Sequence, residues 1–220
     1  MIDDSMLGAW VIWLPELLRG LWISIQLAVV SVLVGSLLGL GLAVLSSSRN
    51  RGVRTAAIVF VEIGRGTPAL VVLQLVYFGL PGAGLTFSSF VSACVALSLT
   101  TAAYTSEILR AGLQAVPAGE LEASWALGMN GRDTLRFIVI PQGVRIAIPP
   151  LAGFAVLIFQ ATSLAFTISL QELLSRAYSI GSSTFRHLDV LLLAGLLYLV
   201  ITVPGGWLTT RAERRLSRHL

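Results

Sequence analysis

The sequence predicts an all-α integral membrane protein with five transmembrane helices, its N-terminus outside and its C-terminus in the cytoplasm. Three observations predict it. The 220 residues are 55% hydrophobic and only 12% charged, against roughly 25% charged in soluble domains, and mean hydropathy is +0.85. So little charge cannot cover a water-soluble globule of this length, and a single domain, 1–220, is expected. Five stretches approach the roughly 20 apolar residues that a spanning helix needs: about 21–46, 54–80, 87–113, 149–169 and 188–209. The third observation is where the arginines fall. Arg49, Arg51 and Arg54 follow the first stretch, Arg132, Arg136 and Arg145 the third, and Arg211, Arg214, Arg215 and Arg218 the fifth. With five spans all ten share one side, while Arg19, Arg176 and Arg186 lie opposite. The positive-inside rule makes the richer side cytoplasmic.

Composition also excludes function classes. The net charge of +4 is entirely arginine, because the chain holds no lysine. A Walker-type phosphate loop needs its lysine, so this chain is not a conventional ATPase by itself. The lone Cys94 rules out an internal disulfide and a cysteine-rich metal site. His187 and His219 are too few for a histidine metal centre, and no metal, catalytic or nucleic-acid site is expected. Met1 to Ser5 carry Asp3 and Asp4, without a positive region or a small-residue cleavage site, so the N-terminus is expected to be retained.

Segment 7–19, with Trp10, Trp13, Pro15, Glu16 and Arg19, is too short and punctuated to span. It reads as an interfacial N-terminal helix, since Trp favours the membrane–water boundary. In the first span, Ser31, Gly35, Gly39, Ala43 and Ser47 recur every four residues, a narrow face that admits a close neighbour helix. In the second, Gly64-Arg65-Gly66-Thr67-Pro68 interrupts the helix within the membrane. Such a break either exposes backbone N–H groups at 67–70 to a substrate carboxylate or kinks the helix around a neighbour. Glu62 and Arg65 in this span and Glu107 and Arg110 in the third are intramembrane charges, which are costly unless paired or functional. With the hairpin apex near Gly84, Glu62 is level with Ser106 and Arg65 with Ala103, so the four charges can neutralise one another. They either fix the hairpin or touch substrate or a gate.

The stretch 116–148 is a long, polar, helix-prone cytoplasmic loop. Pro117 and Gly119 break the third span, Glu120 and Glu122 suit a helix start, and Asn130-Gly131 forms a turn. Residues 132–140 are expected to form a second short helix before Pro141. Such a pair suits docking to a soluble partner, though composition equally allows a solvated loop. The fourth span is expected to begin after Pro149-Pro150. Its uncharged Gln160, Thr162 and Ser163 serve either a cavity or bonds between helices.

Glu122-Ala123-Ser124, then Gly128, then Ile138-Val139-Ile140-Pro141, resembles the EAA motif of ABC-importer permeases, with Ser124 where that motif has Ala. Residues Glu62 to Leu70, Tyr77 to Pro81, Tyr104 to Gly112, and Pro141-Gln142 with Pro149 are similar to the polar amino-acid uptake permeases of the histidine/glutamine type. The likeness covers roughly 55–175. It implies a type I importer permease fold in a bacterial inner membrane. It implies a coupling helix seated in a groove of a separate ATPase, which assigns Glu120, Glu122, Ala123, Ser124, Gly128 and Arg132 to coupling. ATP and Mg would be bound by that ATPase, with no cofactor on this chain. A second, identical or homologous permease, an external solute-binding protein and surrounding lipid would complete the system. Where this subfamily carries Lys-Asp/Asn-Thr-Ser-Leu, the chain reads Gln160-Ala161-Thr162-Ser163-Leu164. The missing charges fit either a different ligand or the less substrate-contacting member of a heterodimer.

The expected function is therefore the non-catalytic membrane subunit of an ATP-driven importer for a polar amino acid or small zwitterion, such as ectoine or an opine. Thr67, Pro68, Gln160, Thr162 and Ser163 are the expected pathway residues. The alternative is an ion-gradient-driven secondary transporter, whose ion site would have to be the four intramembrane charges. It offers no account of the spaced loop motif. A membrane-embedded enzyme lacks a histidine–carboxylate cluster in any span.

Overall fold

The computed structural model describes residues 6–216; Asp3, Asp4, Arg218 and His219 lie outside them. The described chain is helical throughout: α1 Met6–Ser46, α2 Arg51–Gly66, α3 Ala69–Gln74, α4 Ser89–Gln114, α5 Ala118–Ala126, α6 Gly131–Thr134, α7 Ile140–Ala161, α8 Leu173–Thr184 and α9 His187–Leu216. Four helical runs are long and apolar enough to span, and the bent pair Arg51–Gly66 and Ala69–Ala83 makes a fifth where its two arms are one crossing.

The segment 7–19 is not a separate helix. It is the first part of α1, which continues unbroken for 41 residues with Pro15 inside. At 1.5 Å per residue α1 is about 61 Å long, twice a hydrocarbon core of about 30 Å. Packing overrides the proline. Trp13, Leu17 and Leu21 are buried against Leu173 and Ala177 of α8 and Val190, Leu193 and Ala194 of α9, and Trp10 Nε1 donates to the Asp189 carbonyl at 2.9 Å. Val11, whose carbonyl loses its helical partner to Pro15, is exposed.

The small-residue face of α1 is a packing surface for its first half. Ser31, Gly35 and Gly39 are buried. A Cβ on Gly35 would lie 2.4 Å from Thr101 Cβ, and one on Gly39 2.7 Å from Thr105 Cβ. Only hydrogen fits at either position, and the rising register makes α1 and α4 parallel, as alternate spans must be. Ala43 and Ser47 lie beyond this buried contact.

The fourth span differs from its expected limits. Helix runs without interruption from Gly131 to Ile168, so 132–140 is not a free-standing second helix and Pro149-Pro150 lie inside the span. Pro141 fails to end it because the preceding turn, Leu135–Val139, is a π-helix. Ile140 N–H bonds to the Leu135 carbonyl in that wider turn, so the ladder is re-phased where Pro141 has no donor. Thr162–Ile168 then tightens into a 3₁₀-helix ending at Ser169, φ 61°.

Candidate functional site

The second span breaks where the sequence places the interruption. Pro68 lacks an N–H and pushes the residue before it out of the helical region. Thr67 accordingly adopts φ −93°, ψ 128°, and caps α2. The two arms meet at 104°. Tyr104 Oη donates to the Arg65 carbonyl at 3.3 Å, and a Cβ on Gly64 would meet Ala103 Cβ at 2.7 Å. The break therefore lies beside the middle of α4, in the register expected from the Gly84 apex. Not all N–H groups of 67–70 are free. Thr67 N–H bonds to the Ile63 carbonyl at 2.9 Å and Pro68 has none.

The four charges form one chain of contacts. Arg65 lies 3.7 Å from both Glu62 and Glu107. Arg110 Nε donates to Glu107 Oε2 at 2.9 Å, its Nη2 reaches Glu107 Oε1, and Nη1 donates to Gln114 at 2.8 Å. Mutual neutralisation is thus geometrically achieved. The network sits toward the C-terminal end of α4, below the level of the break.

The residues expected on span 4 separate. Thr162 is fully buried and donates to the Phe159 carbonyl at 2.7 Å. It shares the buried face of Ile158 and Phe159, so it points into the subunit rather than to an open side, unlike the expectation from sequence. Gln160 is exposed and Ser163 half-buried. Their segment packs through Ala165 and Ile168 against Ala93, Ala96 and Leu97 of α4 and Leu73 and Val76 of the re-started second span. The break and the 3₁₀ turn are therefore neighbours. Their joining bond involves a residue not singled out from sequence: Gln74 Nε2 donates to Thr167 Oγ1 at 2.8 Å.

In the loop, α5 opens after Pro117 with Glu120 in its first turn. Glu120 accepts from Gln142 Nε2 at 3.2 Å, tying the loop to span 4. Ser124, the departure from the motif, is buried. Its Oγ donates to the Leu121 carbonyl at 2.7 Å and lies 3.0 Å from Thr134 Oγ1. The extra hydroxyl joins α5 to α6. Gly128 has φ 73°, and Met129 N–H and Gly128 N–H bond to the carbonyls of Ser124 and Trp125 at 3.0 and 2.9 Å, a Schellman closure that favours glycine. Glu122, Ala123 and Arg132 are exposed, beside exposed Trp125 and Leu127.

One buried acid carries no signal in the sequence. Glu172 is fully buried and caps α8. It accepts from Leu174 N–H at 2.9 Å, Ser175 N–H at 2.7 Å, Ser24 Oγ at 3.3 Å and Tyr198 Oη at 3.2 Å. Burial pushes its carboxyl up from the ordinary range, and these hydrogen bonds pull it partly back. Glutamate is not among the favoured N-caps, so the sequence carries no start signal for α8. Nearby, Arg176 pairs with Glu16, fastening α8 to α1. Among the described residues no group of three or more His, Cys, Asp or Glu side chains could hold a metal.

The family described as "Binding-protein-dependent transport system inner membrane component" matches over residues 15–218. The arginine transport system permease protein ArtQ of Bacillus subtilis (strain 168) is 34% identical over 207 residues, 94% of each chain. The nopaline transport system permease protein NocM of Agrobacterium fabrum (strain C58 / ATCC 33970) is 39% identical over 217 residues, 94% of this chain and 90% of that one. A crystal structure of an amino acid ABC transporter with histidines matches with TM-score 0.92 and 31% identity, covering 97% of this chain and 99% of that one. The broken second span and these likenesses agree: the chain belongs to the family of inner-membrane permease subunits of binding-protein-dependent ABC importers.

Proposed function

We propose that this subunit walls the import pathway for a polar amino acid or similar small zwitterion, ectoine or an opine included, with its N-terminus outside. Partner ATPase subunits, loaded with ATP and Mg, grip α5 and the turn at Gly128. A second permease, identical or homologous, faces the polar wall, and an external solute-binding protein delivers ligand. Transport systems for arginine and nopaline among the relatives support this substrate class. The observation that carries the reading is the group of uncharged polar residues beside the 104° break: Thr67, Gln160 and Ser163, none fully buried. Polar side chains at membrane depth are costly against lipid, so they face a partner or a water-filled path. Family membership gives the ion-gradient alternative no support.

The test is uptake by the purified complex in proteoliposomes with ATP, its binding protein and radiolabelled candidate ligands. Thr67→Val and Ser163→Ala each remove one hydroxyl and should raise KM about 2- to 10-fold, the worth of one hydrogen bond, without loss of insertion. Unchanged KM for every ligand in both variants takes these residues out of the pathway. Orientation has its own check. In a Cys94→Ala background, Ala83→Cys should react with an impermeant thiol reagent from outside intact cells, and Ser48→Cys only after permeabilisation. The opposite pattern inverts the topology.

A further inference from the structure

Three hydroxyls around the break spend their protons in the same way. Thr67 Oγ1 donates to the Ile63 carbonyl at 2.7 Å. Ser163 Oγ donates to the Gln160 carbonyl at 2.8 Å. Thr167 Oγ1 donates to the Leu164 carbonyl at 2.8 Å. Each hydroxyl has one proton and two lone pairs. With the proton committed to its own helix, each turns only lone pairs toward the open side. The wall is built from hydroxyls, yet it offers acceptors.

The same reasoning fixes Gln74. Its amide meets Thr167 Oγ1 at 2.8 Å. Because that hydroxyl already donates to Leu164, it can only accept, so the amide must turn its NH₂ to Thr167 and its Oε1 away. Reversing the amide would force the Thr167 proton off Leu164 and cost a hydrogen bond. Gln74 is only half-buried and Thr167 is exposed, so the amide oxygen lies at the open edge of the wall, where the re-started second span meets the 3₁₀ turn. An amide oxygen and hydroxyl lone pairs together suit a ligand group rich in N–H donors and disfavour a carboxylate. Hydrogen bonds to a charged donor are also stronger than neutral ones.

We propose that Gln74, oriented by Thr167, is a specificity-determining residue that reads a cationic, N–H-rich side-chain end of the transported ligand. The inference rests on the pathway reading above and adds to it the polarity of the wall. Thr167 acts through Gln74 and is a positioning residue.

The experiment uses the assembled permease–ATPase complex in lipid nanodiscs. Direct binding of radiolabelled L-arginine, L-glutamine and L-glutamate is measured without binding protein, alongside uptake in proteoliposomes with it. Wild type should bind arginine more tightly than glutamate. Gln74→Leu should bring the two affinities together. Gln74→Glu should widen the arginine-over-glutamate ratio by at least about tenfold, the discrimination of one charge-assisted hydrogen bond. Thr167→Ala should narrow the ratio by releasing the amide, and Thr167→Ser should restore it, which a merely structural role would not do. If Gln74→Glu does not assemble, the Gln74→Leu and Thr167 pair decides. Ratios unchanged across the variants overturn the proposal, as does a wild type that favours glutamate. A wild-type complex that imports ligand but binds none of the three overturns it while leaving the pathway reading intact. A complex that imports no candidate overturns both.

Discussion

Gly128→Arg is expected to leave the subunit inserted and assembled, yet to abolish ATP hydrolysis stimulated by the binding protein, and transport with it. The backbone there is left-handed, φ 73°, so any ordinary side chain adds strain of about 1–2 kcal/mol. That strain falls on an exposed turn, and a Cβ at this position meets no heavy atom within 4 Å. Nothing inside the subunit therefore resists the substitution beyond the turn itself. The new side chain instead projects beside Trp125 and Leu127, which are 62% and 81% exposed and form the apolar part of the surface proposed to meet the ATPase. Gly128→Asn separates the two effects, because asparagine tolerates this conformation and is short. It should keep most of the stimulated activity. Glu122→Lys should be milder still: Glu122 is exposed and stands past the first turn of α5, where Glu120 sits, so the helix dipole favours it little. Stimulated ATPase activity at wild-type level in the Gly128→Arg complex would contradict the assigned role.

Glu172→Ala should destabilise the subunit strongly. The side chain gathers two backbone N–H groups of α8, a hydroxyl of α1 and the phenol of α9 on one buried carboxylate. Removing it leaves those donors in a site that water does not reach. Ser24 can still donate to the Gly20 carbonyl; each of the three other orphaned donors costs about 1–3 kcal/mol, so the loss is on the order of 3 kcal/mol or more. It also releases the helix cap that holds α8 against α1. The measurement is thermal unfolding of the detergent-solubilised complex followed by size-exclusion fluorescence. Glu172→Gln keeps an acceptor but sets an NH₂ against one of the backbone N–H groups, and should fall between wild type and alanine. An alanine variant as stable as wild type would mean that the junction carries no stability.

What was legible in the sequence follows from the range of the forces involved. The apolar spans and the break at Thr67-Pro68 rest on local chemistry: apolar length and a missing N–H. The pairing of Arg65 with Glu107 was also accessible, because a hairpin with a known apex fixes its register by counting. The errors came where packing overrides local signals. Segment 7–19 with Pro15 read as a separate interfacial helix, and Pro141 and Pro149-Pro150 as helix boundaries; all lie inside continuous helix. Buried Trp13 and Leu17 hold the first, and a π turn absorbs the second. Thr162 lies on the buried face of Ile158 and Phe159, because depth along a span does not tell which way a side chain points. Glu172 and the Gln74–Thr167 bond join residues far apart in the chain, and no spacing rule connects them.

The run from Gly131 to Ile168 is a single rod of 38 residues, about 57 Å at helical rise, with the coupling turn at one end and the polar 3₁₀ segment at the other. It meets α4 at Gly143, whose carbonyl oxygen would lie 2.6 Å from a Cβ on Gly112, with Leu113 and Ala147 closed around the two glycines. So tight a contact is a natural fulcrum. Gly143 stands about one third of the way along the rod. A stiff lever rocking at that point moves its far end roughly twice as far as its near end. A small stroke delivered by the ATPase at Gly131 would thus arrive enlarged, and reversed in direction, at Ser163 and Thr167. This gives the chain a mechanical advantage that a flexible joint at Pro141, or at Pro149-Pro150, would have dissipated.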